Sequence, residues 1–300
     1  MGDLRFGLVW RGDGSVTGAA RRAEDAGYAS LLFADHTGML APLPAMAAAA
    51  AVTDRILLGP QVINIAFRPL AALAQEAAAV DVISGGRLLL GLGAGYAEPE
   101  VRSMGLPFPG NAERIREVSR ALDVLPRLFA GQTVTEQPPG PGRLDDFSLD
   151  PLPPQGAGVP VLVGGNGDRM LAVAARGARI VQFTGFTAPP GGDTRGFTSA
   201  GLADRVGYVH RMAGERLPGL ELSLLVQHAR VTTDPRGAAA DAVGELLTVE
   251  QALDSPFLLF GTVDAICDRI VELRERFGVT YLTVFDGRNE GFHRVVARLA

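Results

Sequence analysis

An acid and a histidine stand side by side in a position typical of catalysis. Asp35 and His36 directly follow a short apolar run, residues 30–34, that we predict to be a strand. A histidine that titrates near neutral pH can exchange a proton with a substrate, while the carboxylate orients it or binds a polar ring edge. The alternative is a pair that only caps the next loop. Because the other three histidines fall within predicted helices or a strand, His36 is the candidate acid or base, and Asp35 is expected to orient it.

A glycine-rich strand end is the second candidate. Residues 81–96, DVISGGRLLLGLGAGY, combine a helix end, a Gly-Gly turn, an apolar strand and alternating glycines. Such glycines bring bare backbone to the surface, where a flat ring or a phosphate can lie against it. The motif predicts a cofactor-binding wall at Gly93, Ala94 and Gly95, with Tyr96 as a further hydrogen-bond donor in catalysis.

Two more strand ends supply polar groups. Asn64 offers an amide that can hydrogen-bond the edge of a heterocycle, and Arg68 offers a charge that either pairs with a ligand or braces a loop. The motif GGNGD opens a predicted helix whose free N–H groups suit a phosphate, so Gly164, Gly165 and Asn166 are candidate contacts. Glycine loops at two strand ends favour an extended, phosphate-bearing ligand.

Other chemistries lack the residues they need. One Asp-His pair without a second ligand cluster is too few for a metal site, so no metal is expected. A nucleophile elbow, G-x-S-x-G, is absent, and glycoside hydrolysis would have only Tyr96, Glu98 and the single tryptophan Trp10. All 28 basic residues are arginine, which excludes chemistry that depends on a lysine amine, such as Schiff-base formation.

The candidates require a fold that gathers many strand ends on one face. Short apolar runs alternate with helical patterns, which indicates βα units around a parallel sheet. Eight such runs favour an α/β fold with a single (β/α)8 barrel over residues 1–300, rather than a doubly wound sheet. Residues 133–158, rich in proline and glycine, are interpreted as a loop excursion within it. The predicted strands are residues 4–10, 30–34, 56–65, 87–92, 159–164, 178–183, 222–232 and 279–285.

Composition limits the partners. The net charge is −5 and aromatic residues make up 6% of the chain, without a basic stripe, so nucleic acid is not an expected partner. No apolar run reaches membrane-spanning length and no signal segment precedes the first strand, so we expect a cytoplasmic protein without a membrane partner. The expected partner is a small-molecule substrate. Abundant alanine and arginine, with no lysine, are typical of a GC-rich genome such as that of an actinobacterium.

These motifs together resemble the bacterial luciferase-like superfamily, in particular its branch of oxidoreductases that use the deazaflavin coenzyme F420. The likeness covers nearly the whole chain. The matching segments are residues 5–7, 23–28, 35–36, 67–69, 81–95, 161–165 and 261–263, with Asp286 at the end of the last strand. The resemblance implies a luciferase-like TIM barrel that binds F420, or alternatively FMN, at the carboxyl ends of its strands.

The resemblance also implies contacts for each candidate residue. Asp35 and His36 would contact the ring edge and the substrate. Gln61, Val62 and Asn64 would lie against the face of the ring. Gly164 and Gly165 would approach the coenzyme tail. Members often carry a non-proline cis peptide in the third strand, which would fall between Gln61 and Val62. Relatives commonly form homodimers, and the apolar helices at residues 44–52 and 69–80 could supply the interface.

Two departures from the family pattern limit the types of reaction expected of this chain. Sugar-phosphate and alcohol dehydrogenases of this branch have a glutamate where this chain has Tyr96. The enzymes that oxidise sugar phosphates also have a tryptophan where this chain has Leu40. They bind the phosphate with lysines, and this chain contains no lysine. The expected function is hydride transfer from reduced F420 to a C=C or C=N bond of a small metabolite. The alternatives are an FMN-dependent monooxygenase and a catalytically silent flavin-binding relative.

Overall fold

Strands and helices alternate along the chain. The computed structural model describes residues 3–12, 14–137, 142–185, 194–244 and 246–300. Within these ranges the strands β1 to β12 are Arg5–Trp10, Ser30–Phe33, Leu57–Pro60, Ile63–Asn64, Leu90–Gly93, Val161–Gly165, Ile180–Phe183, Glu221–Val226, His228–Val231, Leu258–Gly261, Val279–Phe285 and Asn289–Glu290. The helices α1 to α11 are Val16–Asp25, Pro42–Ala50, Leu70–Ser84, Glu98–Ser103, Asn111–Phe129, Asp168–Gly177, Ser199–Ala213, Pro235–Val243, Val249–Asp254, Val263–Phe277 and His293–Leu299.

The main sheet is a barrel of parallel strands. Its order is β3-β2-β1-β11-β8-β7-β6-β5-β4, and β3 and β4 are two halves of one strand of the barrel. A parallel bridge between Leu58 and Leu88 joins β3 to the segment before β5 and so closes the ring. The prediction of a (β/α)8 barrel is confirmed, and the carboxyl ends of the strands share one face of the molecule.

The core has two layers, because neighbouring residues of a strand point to opposite sides of the sheet. In β1, Val9 packs inside the barrel while Leu8 packs outward against the helices. The inner cluster takes single side chains from strands all around the ring. Its buried members are Val9, Leu32, Leu89, Leu162, Ile180 and Tyr281.

Two predicted strands are interrupted. The third, expected over 56–65, breaks at the peptide between Gln61 and Val62, which is cis, as the resemblance implied. The seventh, expected over 222–232, divides at Gln227, whose side chain donates to the carbonyl of Thr184 at 3.0 Å. β8 stays in the barrel, and β9 leaves it to join β10 and β12 in a small parallel sheet. This sheet was not predicted, because its strands are short and come from distant parts of the chain.

The described part of the proline-rich segment 133–158 lies against α5 and the end of α3. Within its described part, Val134 and Phe147 pair as an antiparallel bridge, and Gln155 donates to the buried carboxylate of Asp81 at 2.8 Å. Residues 138–141 lie outside the described residues. Its interpretation as an excursion within one domain stays a prediction.

Neither a membrane span nor a metal-ligand cluster occurs in the described residues. No helix among them is long and apolar enough to cross a membrane. Their His, Cys, Asp and Glu side chains form no group of three or more that could hold a metal ion.

Candidate active site

Predicted site residues from three consecutive strands of the barrel meet at its carboxyl end. Asp35 follows β2, Asn64 ends β4, and Gly95 follows β5. The side chain of Asn64 lies so close to Gly95 that a β-carbon there would be 2.8 Å from its Nδ2 atom. The fold therefore gathers residues that are up to 60 positions apart in the chain into one site.

Asp35 is buried, and its carboxylate is occupied by protein groups. It accepts hydrogen bonds from the backbone N–H of Asn64 at 2.9 Å and from the guanidinium of Arg68 at 2.9 and 3.2 Å. This paired contact braces the loop after β4 against the end of β2. The expectation that Asp35 orients His36 is not what the contacts show, because Arg68 takes both carboxylate oxygens.

Glu100, which the sequence reasoning missed, is the carboxylate partner of His36. Both of its oxygens lie 3.0 Å from Nδ1 of His36, and one also accepts a 3.2 Å hydrogen bond from the backbone N–H of Thr37. Because a carboxylate can only accept, these contacts assign the proton of a neutral imidazole to Nδ1. The only sequence signal for Glu100 is its spacing of four residues from Tyr96.

Tyr96 faces the other nitrogen of His36. Its hydroxyl is 3.4 Å from Nε2, and the two rings meet edge to face with centroids 5.7 Å apart. Desolvation and the charge of Glu100 raise the pKa of Tyr96, so the hydroxyl stays protonated at neutral pH and donates to Nε2. Glu100, His36 and Tyr96 thus form a hydrogen-bonded chain. Since Tyr96 is 79% exposed, its end of the chain is open to a ligand.

The glycines of β5 have a packing role that was not expected. A β-carbon on Gly91 would overlap the carbonyl oxygen of Pro60, and one on Gly93 would overlap the side chain of Val62. Both glycines are buried, because the connection between β3 and β4 packs directly against them. The prediction of bare surface backbone is therefore wrong for Gly91 and Gly93. Within β5 and the residues that follow it, only the part from residue 94 onward is partly exposed.

Arg114, also missed, holds the end of this glycine loop. Its Nε–H lies 3.2 Å from the carbonyl oxygen of Ala94 and 3.3 Å from that of Gly95, and its guanidinium also binds the carbonyl of Pro109. The side chain is buried, and desolvation lowers its pKa. A signal existed in the sequence: Arg114 stands four residues before Val118 on the apolar face of an amphipathic helix, where an arginine needs a polar partner.

A layer of polar side chains crosses the inside of the barrel. The amide of Gln182 donates to Ser223 at 3.0 Å and to Thr283 at 3.1 Å, and the amide of Gln61 donates to Thr283 at 3.2 Å. Thr283 faces inward because it is two residues after Tyr281 of the inner cluster. The Oε1 atom of Gln61 is buried without a hydrogen-bond partner in the described structure, so it can accept from an N–H or O–H of a ligand.

The loop after β6 contains a second unsatisfied amide. Asn166 is 91% buried, and its Oδ1 atom has no hydrogen-bond partner in the described structure. It comes just before α6, whose N-cap Gly167 supplies no side-chain cap, so the first N–H groups of that helix are available to an anion. Position 165 requires glycine, because a β-carbon there would lie 2.6 Å from the side chain of Met170. A β-carbon on Gly164 would make only ordinary van der Waals contacts.

The fold and site define a class of protein: a (β/α)8-barrel enzyme with a histidine-centred hydrogen-bonded chain beside a glycine-rich strand end. The model of the luciferase-like monooxygenase family matches residues 14–196, more than half of the chain. The chain belongs to this family.

Two curated relatives and one solved structure illustrate the similarity. The F420-dependent glucose-6-phosphate dehydrogenase of Beutenbergia cavernae is 37% identical over 123 residues, covering 38% of this chain and 36% of that protein. The 5,10-methylenetetrahydromethanopterin reductase of Methanopyrus kandleri is 30% identical over 195 residues, covering 58% and 53%. The chain therefore spans between about a third and about a half of these relatives' length.

The structure of a coenzyme F420 dependent tetrahydromethanopterin reductase from Methanopyrus kandleri superposes with a TM-score of 0.72. The likeness covers 98% of this chain and 96% of that one at 20% sequence identity. At this identity the agreement shows the barrel fold.

Proposed function

We propose that the protein is an F420-dependent oxidoreductase that transfers hydride from the reduced coenzyme to a C=C or C=N bond of a small metabolite. The observation that carries the proposal is the Glu100–His36–Tyr96 chain, which ends beside the glycine loop after β5. The choice of coenzyme is supported by the similarity to the Beutenbergia cavernae protein, which is an F420-dependent dehydrogenase.

The residues present fit a flat ring with polar edges and an anionic tail. Among the described residues, Gln61 and Asn166 each hold a buried acceptor without a hydrogen-bond partner. The ligand is proposed to donate hydrogen bonds to both. Val62, Asn64 and the backbone of residues 94 and 95 are proposed to form the wall behind the ring, and the buried Gly93 supports this wall through its contact with Val62. Gly164, Gly165 and Asn166 are proposed to approach the tail, where the N–H groups of α6 favour a phosphate.

Reduced F420, when bound, supplies a hydride. The protonated form of His36, with a proton on each ring nitrogen, is proposed to complete the reduction. Its Nε2 gives a proton to the substrate atom that does not receive the hydride, and the ring is left neutral with its remaining proton on Nδ1. Glu100 holds the opposite nitrogen, Nδ1, so the ring keeps its orientation while Nε2 gains or loses a proton. Tyr96 donates to Nε2 between turnovers and can pass its hydrogen bond to the substrate. Asp35 acts on the site through Arg68 and Asn64.

The side chains around His36 support the proposed reducing direction. Tyr96 stands where sugar-phosphate and alcohol dehydrogenases of the branch keep a glutamate, so a second carboxylate to accept the proton of an alcohol is missing there. Leu40 adds an exposed apolar side chain rather than an aromatic sugar platform. A homodimer and a cytoplasmic location remain predictions.

The experiment is a fluorescence titration of the purified protein with F420, FMN and reduced FMN. Micromolar binding of F420 without binding of FMN supports the proposal, and the reverse pattern refutes it. Turnover is then followed by the loss of reduced F420 across a panel of enones, imines and alcohols.

The second candidate is an FMN-dependent luciferase-like monooxygenase, favoured by the family to which the chain belongs. It predicts binding of reduced FMN and oxygen-dependent product formation. The third is a catalytically silent flavin-binding relative, which predicts coenzyme binding without turnover of any panel member.

A further inference from the structure

A cluster of basic side chains lies at the carboxyl ends of three adjacent strands of the barrel. The three strands are adjacent in the order β1-β11-β8. Arg11 directly follows β1, Arg288 comes three residues after β11, and His228 is the first residue of β9, just beyond β8. Two backbone hydrogen bonds tie these ends together. The N–H of Ala229 donates to the carbonyl of Arg288 at 2.9 Å, and the N–H of Asp286 donates to the carbonyl of Val9 at 2.8 Å.

Only some of the charges in this cluster are paired with carboxylates. A fourth member, Arg230, pairs with Asp241 at 3.2 Å and with Glu290 at 3.3 Å. No carboxylate of the described residues lies within ion-pair distance of Arg11 or Arg288. Arg11 instead stands over the ring of Phe285 at 5.5 Å.

The cations are close enough to repel one another. Desolvation and then the charge of Arg11 lower the pKa of Arg288. Desolvation and the charges of Arg288, Arg230 and Arg11 lower the pKa of His228. In a chain whose net charge is −5, such a concentration of positive charge is a local feature, and a bound anion would relieve the repulsion.

The cluster shares the face of the barrel that carries the proposed active site. β1 pairs in parallel with β2 so that Trp10 is opposite Phe33, and Arg11 and His36 follow these two residues. The acid or base and the first arginine of the cluster therefore leave neighbouring strands. Arg11, His228 and Arg288 occupy the β1-β11-β8 side of the opening, whereas the wall proposed for the coenzyme occupies the side of β3 to β6.

We propose that Arg11 and Arg288, together with an imidazole N–H of His228, bind a carboxylate or phosphate group carried by the substrate, so that the enzyme acts on acidic small molecules. Guanidinium groups suit this role because each can offer two parallel hydrogen bonds to one oxyanion. The neutral form of His228, favoured by its cationic neighbours, adds a donor without adding charge. The assignment rests on the proposed function only in taking this face of the barrel as the place where substrate binds.

The test is a calorimetric titration with inorganic phosphate at low ionic strength and pH 8. Three proteins are compared: the wild type, the double variant Arg11→Gln with Arg288→Gln, and a control with Arg21→Gln and Arg116→Gln. The control loses the same charge at two exposed helix positions outside the cluster. We expect the wild type and the control to bind phosphate equally, and the double variant to bind about tenfold more weakly or worse.

Phosphate binding by the double variant equal to that of the control, or no binding by the wild type, overturns the proposal. A further pair, Arg11→Lys with Arg288→Lys, keeps the charge but loses the paired hydrogen bonds, so it should bind phosphate more tightly than the Gln variant and more weakly than the wild type. F420 affinity is measured on the same samples. If it falls with phosphate binding in the Gln variant, the arginines hold the acidic groups of the coenzyme and the substrate assignment is wrong. If no protein binds F420 while the phosphate pattern holds, the proposed function fails and the anion site stands.

Discussion

One imidazole with two differently occupied nitrogens is the centre of the proposed chemistry. Nδ1 of His36 is held by Glu100, and Nε2 faces a tyrosine hydroxyl that a ligand can replace. A histidine held in this way needs no further reorganisation when it donates or accepts a proton, because its orientation is already set by the carboxylate behind it. Two predictions separate the roles of these side chains.

The first concerns the proton itself. Replacing His36→Ala removes the group that moves the proton, so turnover should slow by roughly a hundredfold or more. F420 affinity should change little, because the proposed ring contacts come from other strands. Steady-state kinetics together with F420 fluorescence titration measure both quantities. Unchanged turnover would show that His36 is not the acid or base.

The second concerns the positioning role of Glu100. Glu100→Ala removes the acceptor at Nδ1, so turnover should fall by about tenfold or more, while Glu98→Ala on the same helix should have little effect. Nitrogen chemical shifts of the His36 ring provide a readout that does not depend on activity. The wild type should show the Nδ1–H tautomer at high pH, and the variant should shift toward the Nε2–H form. The same tautomer in both proteins would contradict the assignment.

At the scale of the elements, β5 and the connection from β3 to β4 form a single packing unit. The glycines of β5 admit the carbonyl of Pro60 and the side chain of Val62, and Arg114 from α5 holds the loop that follows. The wall of the site is thus supported from both sides. Its shape depends on three separate elements of the barrel.

We therefore expect Gly93→Ala to disturb the wall. The added methyl group would overlap Val62, and relieving the contact should cost about 1–3 kcal/mol of unfolding free energy. F420 affinity should fall as the connection moves away. Gly158→Ala is the matched control, because a β-carbon there meets nothing within 4 Å. Urea unfolding and F420 titration test both effects, and equal behaviour of the two variants would contradict the packing role.

At the same scale, Glu136 connects the described residues of the segment 133–147 to α5. Arg120 donates to both oxygens of Glu136 at 2.6 Å, and the backbone N–H of Leu144 adds a 2.9 Å hydrogen bond. The Arg120 contact, followed by the Leu144 N–H and the charge of Arg143, lowers the pKa of Glu136 to about 2. Because the folded-state pKa is below the unfolded value of 4.5, the pair stabilises the protein above pH 4.5 and loses this effect as the pH falls toward 2.

Glu136→Gln should accordingly lower the free energy of unfolding by about 2 kcal/mol at pH 7, and by less at pH 3. Urea denaturation at both pH values measures the difference from the wild type. Glu275→Gln, at an exposed position on α10, should change stability little at either pH. A pH-independent difference for Glu136→Gln would show that the carboxylate charge is not what fastens the segment.

At the scale of the whole molecule, the barrel closes through a split strand at the position of the site. The third strand is split into β3 and β4, and the ring closes there through the bridge from Leu58 to Leu88 together with the pairing of β4 and β5. A ligand lying across these strand ends would stabilise the closed barrel. Binding should therefore be visible in global unfolding as well as in local spectra.

We expect F420 at a hundred times its Kd to raise the free energy of unfolding by about 2.7 kcal/mol, with a matching rise in Tm. FMN at the same concentration should leave Tm unchanged. Differential scanning fluorimetry at wavelengths free of coenzyme emission provides the measurement. A rise in Tm with FMN alone would favour the monooxygenase candidate.

Much of this architecture can be read from local pattern. Each of the eight apolar runs contributed a strand to the barrel, because a strand buried on both faces is made largely of apolar residues. The positions of His36, Asn64 and Gly95 at strand ends followed directly from the ends of those runs. The family resemblance added the cis peptide, which no local pattern shows.

Contacts between distant residues were decided by the tertiary structure alone. The sequence does not show that Asp35 pairs with Arg68 and His36 with Glu100. Histidine and arginine can each donate a hydrogen bond to either carboxylate, so the pairing depends on which groups lie close together in the fold. The sequence by itself determined the barrel, its open end and the residue types placed there, because these follow from periodic burial. The tertiary structure decided which carboxylate pairs with His36 and which with Arg68, which groups pack against the glycines of β5, and which arginines meet at the opening. The physical reason is closure of the barrel, which brings together side chains from opposite ends of the chain.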